Sequence, residues 1–87
     1  MNYLHYEVQA GPNNVIQVTL DFGKQANVML LDESNFQSYK HGTTFKYFGG
    51  LYRVSPVNLR APRQSKWHVV IDLGGYAGSV SASVRVI

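Results

Sequence analysis

The 87-residue chain contains no cysteine, which excludes both a disulfide framework and a thiolate zinc site. Charged residues are scarce at 15%, below the roughly 25% of an average soluble domain, and this argues against a disordered or coiled-coil chain. Long apolar runs are missing as well. The longest aliphatic run, Val28-Met29-Leu30-Leu31, falls far short of the roughly 20 residues that span a bilayer. Met1-Asn2-Tyr3-Leu4-His5-Tyr6-Glu7 lacks a basic stretch followed by an apolar one, so no secretory signal is expected. No internal repeat, linker or low-complexity segment interrupts the chain. The expectation is a soluble, cytoplasmic protein without membrane association, with residues 1–87 forming one domain.

The chain is 45% apolar and 13% aromatic, the composition of a folded protein. Its net charge of +3 is unevenly placed: Lys24 faces four acids in residues 1–39, whereas residues 40–87 carry seven cations and only Asp72. Such an excess can present a basic surface to an anionic partner. The seven cations are scattered singly, however, which suits solubilising charge on outward strand faces.

Period-two alternation recurs and sustained helical periodicity is absent. Ile16, Val18 and Leu20 share one face of Val15–Leu20. Trp67, Val69, Ile71 and Leu73 do the same in Trp67–Leu73. In Val80–Val86 the face Val80, Ala82, Val84 and Val86 opposes two serines and an arginine. Further strands are expected at Tyr3–Val8, Ala26–Leu31, Thr44–Phe48 and Leu51–Leu59, the last lying at an edge or bending at Pro56. Gly11-Pro12-Asn13-Asn14, Gly23-Lys24, Gly49-Gly50, Ala61-Pro62 and Gly74-Gly75 separate them. The pattern predicts an all-β fold, a compact β-sandwich of six to seven short, mostly antiparallel strands. One short helical segment is expected near residues 34–41: Ser34 and Gln37 have capping-box spacing, and Lys40, His41 and Gly42 suit a helix end. Phe36 and Tyr39 would pin it to the sheets.

No arrangement for catalysis emerges. A Gly-x-Ser-x-Gly elbow is missing. His68 and Asp72 share a strand face about 13 Å apart, too far to bond. His68 reads as a half-buried strand histidine and Asp72 as a turn-forming carboxylate. His5, His41 and His68 show no metal-ligand spacing, and Asp32-Glu33 would point apart if extended. No cofactor and no metal are expected. Gly74-Gly75-Tyr76-Ala77-Gly78 precedes a strand rather than the helix that a dinucleotide loop needs, so a hairpin loop explains it.

The richest segment is Tyr39–Arg53, which holds five of the chain's eleven aromatics interleaved with Lys40, His41, Lys46 and Arg53. Aromatic faces beside cations suit stacking and anion contacts. Gly49 and Gly50 would let a ligand approach the backbone. The candidate binding residues are Tyr39, His41, Lys46, Tyr47, Gly49, Gly50, Tyr52 and Arg53, set against a reading in which the segment is core and hairpin.

Taken together, several segments resemble the bacterial family known as domain of unknown function 1883. They are His5-Tyr6, Val18-Thr19-Leu20, Ala26-Asn27-Val28-x-Leu30-x-Asp32, Asn35-Phe36-x-x-Tyr39-Lys40-x-Gly42, Tyr47-Phe48-Gly49-Gly50, Ser55-Pro56-Val57 and the run Trp67–Gly78. Phe48 stands where that pattern has tyrosine. The resemblance implies a β-sandwich with one bent or bulged sheet, supplies no catalytic residue, and implies neighbouring signalling-type domains. The expected function is a non-enzymatic binding or protein-interaction module for a protein or small-molecule partner, with single-stranded nucleic acid as a variant. Two alternatives stay open: a self-assembling homo-oligomer, and a small hydrolase or nucleotide-acting enzyme using His68, His41 and a serine.

Overall fold

The computed structural model describes residues 3–21, 25–74 and 80–87. In chain order the elements are β1 (Tyr3–Ala10), β2 (Ile16–Asp21), β3 (Ala26–Leu31), α1 (Glu33–His41), β4 (Phe48–Tyr52), β5 (Val57–Leu59), β6 (Ser65–Asp72) and β7 (Ser81–Val86). They form two antiparallel sheets, a four-stranded one ordered β1-β6-β3-β4 and a three-stranded one ordered β5-β2-β7. The expected all-β sandwich is therefore the observed fold. Among the described residues no helix is long and apolar enough to cross a membrane.

The alternating faces meet between the sheets. Ile16, Val18 and Leu20 from β2 and Val57 and Leu59 from β5 pack against Val28 and Leu30 from β3 and Trp67, Val69 and Ile71 from β6. Each such aliphatic side chain contributes about 1.5–3 kcal/mol on full burial. Ala82, Val84 and Val86 close this core from β7, with Ser81, Ser83 and Arg85 outward, as their alternation required. The Tyr6 hydroxyl ties the sheets by donating to the Ala82 carbonyl at 3.0 Å.

The four-stranded sheet carries a second layer. Helix α1 lies on its outer face, where Phe36 and Tyr39 pack with Met29, Leu31 and Val70. The expected pinning residues are correct, but the cap is not Ser34. Asp32 caps the helix, its Oδ1 accepting from the Asn35 backbone N–H at 2.9 Å, and Gln37 donates to Glu33 instead of closing a box. At the other end Gly42 adopts φ 74° and stops the helix as foreseen.

The expected Thr44–Phe48 strand is displaced. Residues 43–47 form no regular element, and β4 begins at Phe48 and runs through Gly49-Gly50, which had read as a turn. Gly49 pairs with Met29 and Gly50 with Val28. Gly49 has φ 117°, and a methyl group built there would overlap the Val28 carbonyl oxygen. Its missing side chain thus serves close strand approach rather than a ligand. The expected Leu51–Leu59 strand breaks at residues 53–56, which hold a cis Ser55–Pro56 bond and carry the chain from one sheet to the other. The expected turns at Gly23-Lys24 and Gly75–Gly78 lie outside the described residues.

Replacing Gly49 with alanine should cost about 1–3 kcal/mol of unfolding free energy. The same change at Gly50, where nothing lies within 4 Å of the added carbon, should stay within about 0.5 kcal/mol. Urea titration of both variants checks the pair.

Candidate functional site

Two sites concentrate chemistry. The first is a groove of about 530 Å³ where β3 leaves the sheet and β4 enters it, lined by Leu30, Asp32, Asn35, Phe45, Lys46, Tyr47, Phe48, Arg63 and Trp67. Its walls are set locally. Phe45 packs edge-on against Tyr39 with centroids 5.3 Å apart, and the Lys46 backbone N–H donates to Asn35 Oδ1 at 2.7 Å, so α1 anchors residues 45–46. On the opposite wall Arg63 lies over the Trp67 ring at 4.8 Å and meets Asp32 at 3.5 Å. The Asn35 backbone N–H above all, with Arg63 adding to it, holds the Asp32 carboxyl below its usual range. Phe48 completes the wall, edge-on to Trp67 with centroids 6.2 Å apart. Tyr47 and Phe48 remain about half exposed.

Of the residues singled out from the sequence, Lys46 and Tyr47 line this groove. Tyr39 is buried in the helix–sheet core, where its hydroxyl donates to Asp72 Oδ2 at 2.7 Å. His41 sits exposed on the last turn of α1 with Nδ1 2.7 Å from the Gln37 carbonyl. Tyr52 packs against the inter-sheet core, and Arg53 donates to Gln25 Oε1 at 3.1 Å. Gly49 and Gly50 are paired strand residues. The structure therefore does not bring the eight together. Arg63 and Trp67 were missed because their approach to residues 45–48 depends on which strands are neighbours.

The second site lies on the outer face of the four-stranded sheet, against α1. His68 is not half-buried as expected but 2% exposed, because α1 covers that face of β6. Its Nδ1 lies 2.8 Å from His5 Nε2, and its Nε2 lies 2.8 Å from Glu33 Oε1. Phe36 stacks on both imidazoles, with centroids 4.2 Å from His5 and 4.3 Å from His68. Strand pairing places Glu7 directly opposite His68. The Gln37 amide, then His68, pulls the Glu33 carboxyl down to about 2. Burial, then His68, pushes the His5 imidazole below its usual value. An ionised carboxylate only accepts, so His68 carries its proton on Nε2 and, when neutral, presents a bare Nδ1 to His5.

Along any single element the three histidines show no metal-ligand spacing. The structure brings His5, Glu7 and His68 together, with one ligand atom of each within 4.8 Å of the others. The signal that would have found half of this is the period-two rule: His5 and Glu7, two apart on β1, share a face. Asp72 behaves as read, accepting from the Gly74 backbone N–H at 2.9 Å, and it also takes Tyr39 and the Asn27 amide. Among the described residues no buried side-chain polar atom lacks a partner.

A two-sheet sandwich with one helix on its outer face, a side groove and a histidine–carboxylate cluster defines the class of protein. The family model described as Domain of unknown function (DUF1883) matches residues 1–87, and the chain belongs to that family. No curated protein and no solved structure matches it.

Replacing Tyr39 with phenylalanine removes one of the three donors to the buried Asp72 carboxylate among the described residues and should cost about 1–3 kcal/mol. Burial, then the bond to Asp72, holds the Tyr39 phenol above its usual range. Folding therefore favours the neutral phenol: this contribution is complete below pH ~10 and is lost as pH rises beyond it. Urea unfolding on either side of that pH should show an alkaline loss in the parent protein that Tyr39→Phe lacks.

Proposed function

We propose that this chain is a non-enzymatic recognition module of a bacterial cytoplasmic protein, and that its groove and the adjoining edge of β4 receive an extended, acidic peptide segment. The observation that carries this reading is the open edge. β4 is the last strand of its sheet, with β3 on one side and no further strand on the other among the described residues. An unpaired strand edge offers backbone donors and acceptors in a row, the template for adding a strand from a partner. Phe48 and Leu51 on β4, with Tyr47 before it and Val54 after it, are large apolar side chains left exposed there. The register puts Phe48 beside Leu30 on the inter-sheet face and Leu51 beside Asn27 on the outer face, so an added strand meets an apolar side chain on either side of the edge.

Charge supports the acidic character of the segment. Lys46 and Arg63 line the groove, and Arg53 follows β4 directly. The carboxylate in the groove, Asp32, already faces Arg63. A second copy of the chain adding its own β4 is the rival reading, favoured by the same open edge.

Selection from a phage-displayed random peptide library tests this. Enriched peptides should carry acidic and apolar side chains and should change the emission of Trp67, the chain's single tryptophan, on titration. Lys46→Ala and Tyr47→Ala should each weaken binding about tenfold or more without moving the melting temperature. Peptides that leave Trp67 emission unchanged, or affinity and melting temperature falling together, would overturn the reading. So would sedimentation velocity showing a concentration-dependent dimer that excludes peptide.

A further inference from the structure

We propose that His5, Glu7 and His68 form a binding site for one divalent cation of the zinc class, with Glu33 as the carboxylate that positions His68. The site is separate from the groove and stands whether or not that groove binds peptide.

The donor set is the first argument. Two imidazole nitrogens and one carboxylate oxygen, each within 4.8 Å of the others, offer three ligands to a single ion. Ligands at the ~2.0–2.1 Å typical of zinc stand about 3.3 Å apart in a tetrahedron. His5 Nε2 and His68 Nδ1 are 2.8 Å apart, so a separation of about half an ångström admits the ion. That movement falls on His5, which is exposed on β1, an edge strand. Phe36 stacks on both rings, but only His68 is also buried and bonded to Glu33, so His68 stays and His5 slides along the Phe36 face.

The arrangement behind the ligands is the second, independent argument. A metal-bound histidine typically donates its other N–H to a carboxylate, which fixes the tautomer and raises the basicity of the ligating nitrogen. Glu33 Oε1 accepts from His68 Nε2 at 2.8 Å, leaving Nδ1 as the lone-pair donor, 2.8 Å from His5 Nε2, with Glu7 paired opposite His68 on β1. Lys66 also meets Glu33 Oε1, at 3.7 Å, and offsets its charge. His5 and Glu7 are exposed, so the remaining coordination position faces solvent. Nitrogen-rich ligation selects zinc, cobalt or nickel over calcium and magnesium, which require oxygen donors. Bound there, the ion bridges β1 to β6 and, through Glu33, engages α1.

Tag-free protein is stripped with a chelator and titrated calorimetrically with zinc chloride. Cobalt chloride then serves as a spectroscopic probe of coordination. The expected results are one zinc per chain, tetrahedral cobalt absorption, and a melting temperature that rises with zinc. His5→Ala and Glu7→Gln, both at exposed positions, should each lower affinity at least tenfold and abolish the thermal shift. Glu33→Gln should lower affinity about 10–100-fold. His41→Ala, a change on a surface histidine elsewhere on the chain, should leave binding unchanged. His68→Gln is read together with the His5 and Glu7 variants, because a buried change can affect folding. Zinc binding that survives His5→Ala and Glu7→Gln, or that disappears with His41→Ala, would overturn the proposal. So would magnesium binding as tightly as zinc.

Discussion

From Trp67 to Asp72, strand β6 is shielded from solvent on both faces, and most of the molecule's organisation follows from that burial. Toward the second sheet it sends Trp67, Val69 and Ile71, which alternation makes apolar. Toward α1 it sends His68, Val70 and Asp72, two of which are polar yet 2% and 5% exposed. A buried polar group without a partner costs on the order of 1–3 kcal/mol, more if charged. The fold supplies those partners from elements far apart in sequence: β1 and α1 for His68, β3 and α1 for Asp72.

The helix is consequently more than a lid on a sheet. Its Phe36 fills the space over two imidazoles, its Tyr39 reaches Asp72, and its first residue, Glu33, sets the proton position on His68. The helix begins where it does because Asp32 caps it, and Asp32 in turn holds Arg63 at the wall of the groove. One turn of chain therefore links the two chemically distinctive surfaces. Asp32 belongs to the groove and Glu33 to the histidine cluster, on adjacent residues that diverge because a helix starts between them.

The sheet edges divide the surface between the two proposals. β1 and β4 are the outer strands of the same sheet. β1 presents His5 and Glu7, ionisable groups that also discourage strand addition. β4 presents Phe48, Leu51 and two glycines, with less to oppose a docking strand. The contrast between an edge bearing two ionisable groups and an edge bearing apolar ones is what separates the proposed cation site from the proposed peptide site.

Alternation in residues such as Ile16, Val18 and Leu20, or Val80 through Val86, was enough to specify strands, their inward faces and the layered class of fold. Gly42 and the aromatic pair Phe36 and Tyr39 likewise marked a helix and its buried side, because capping and helical spacing are local effects. Family membership was legible too, through long runs of matching residues. The groove and the histidine cluster were not, since their parts come from separate stretches: His5 and His68 lie 63 residues apart. A period of two tells a side chain which face to occupy but not which strand will lie beside it. Pairing order, and the helix laid over it, settled that His68 would be buried, that Glu7 would oppose it, and that Gly49 would pair with Met29 rather than sit in a turn.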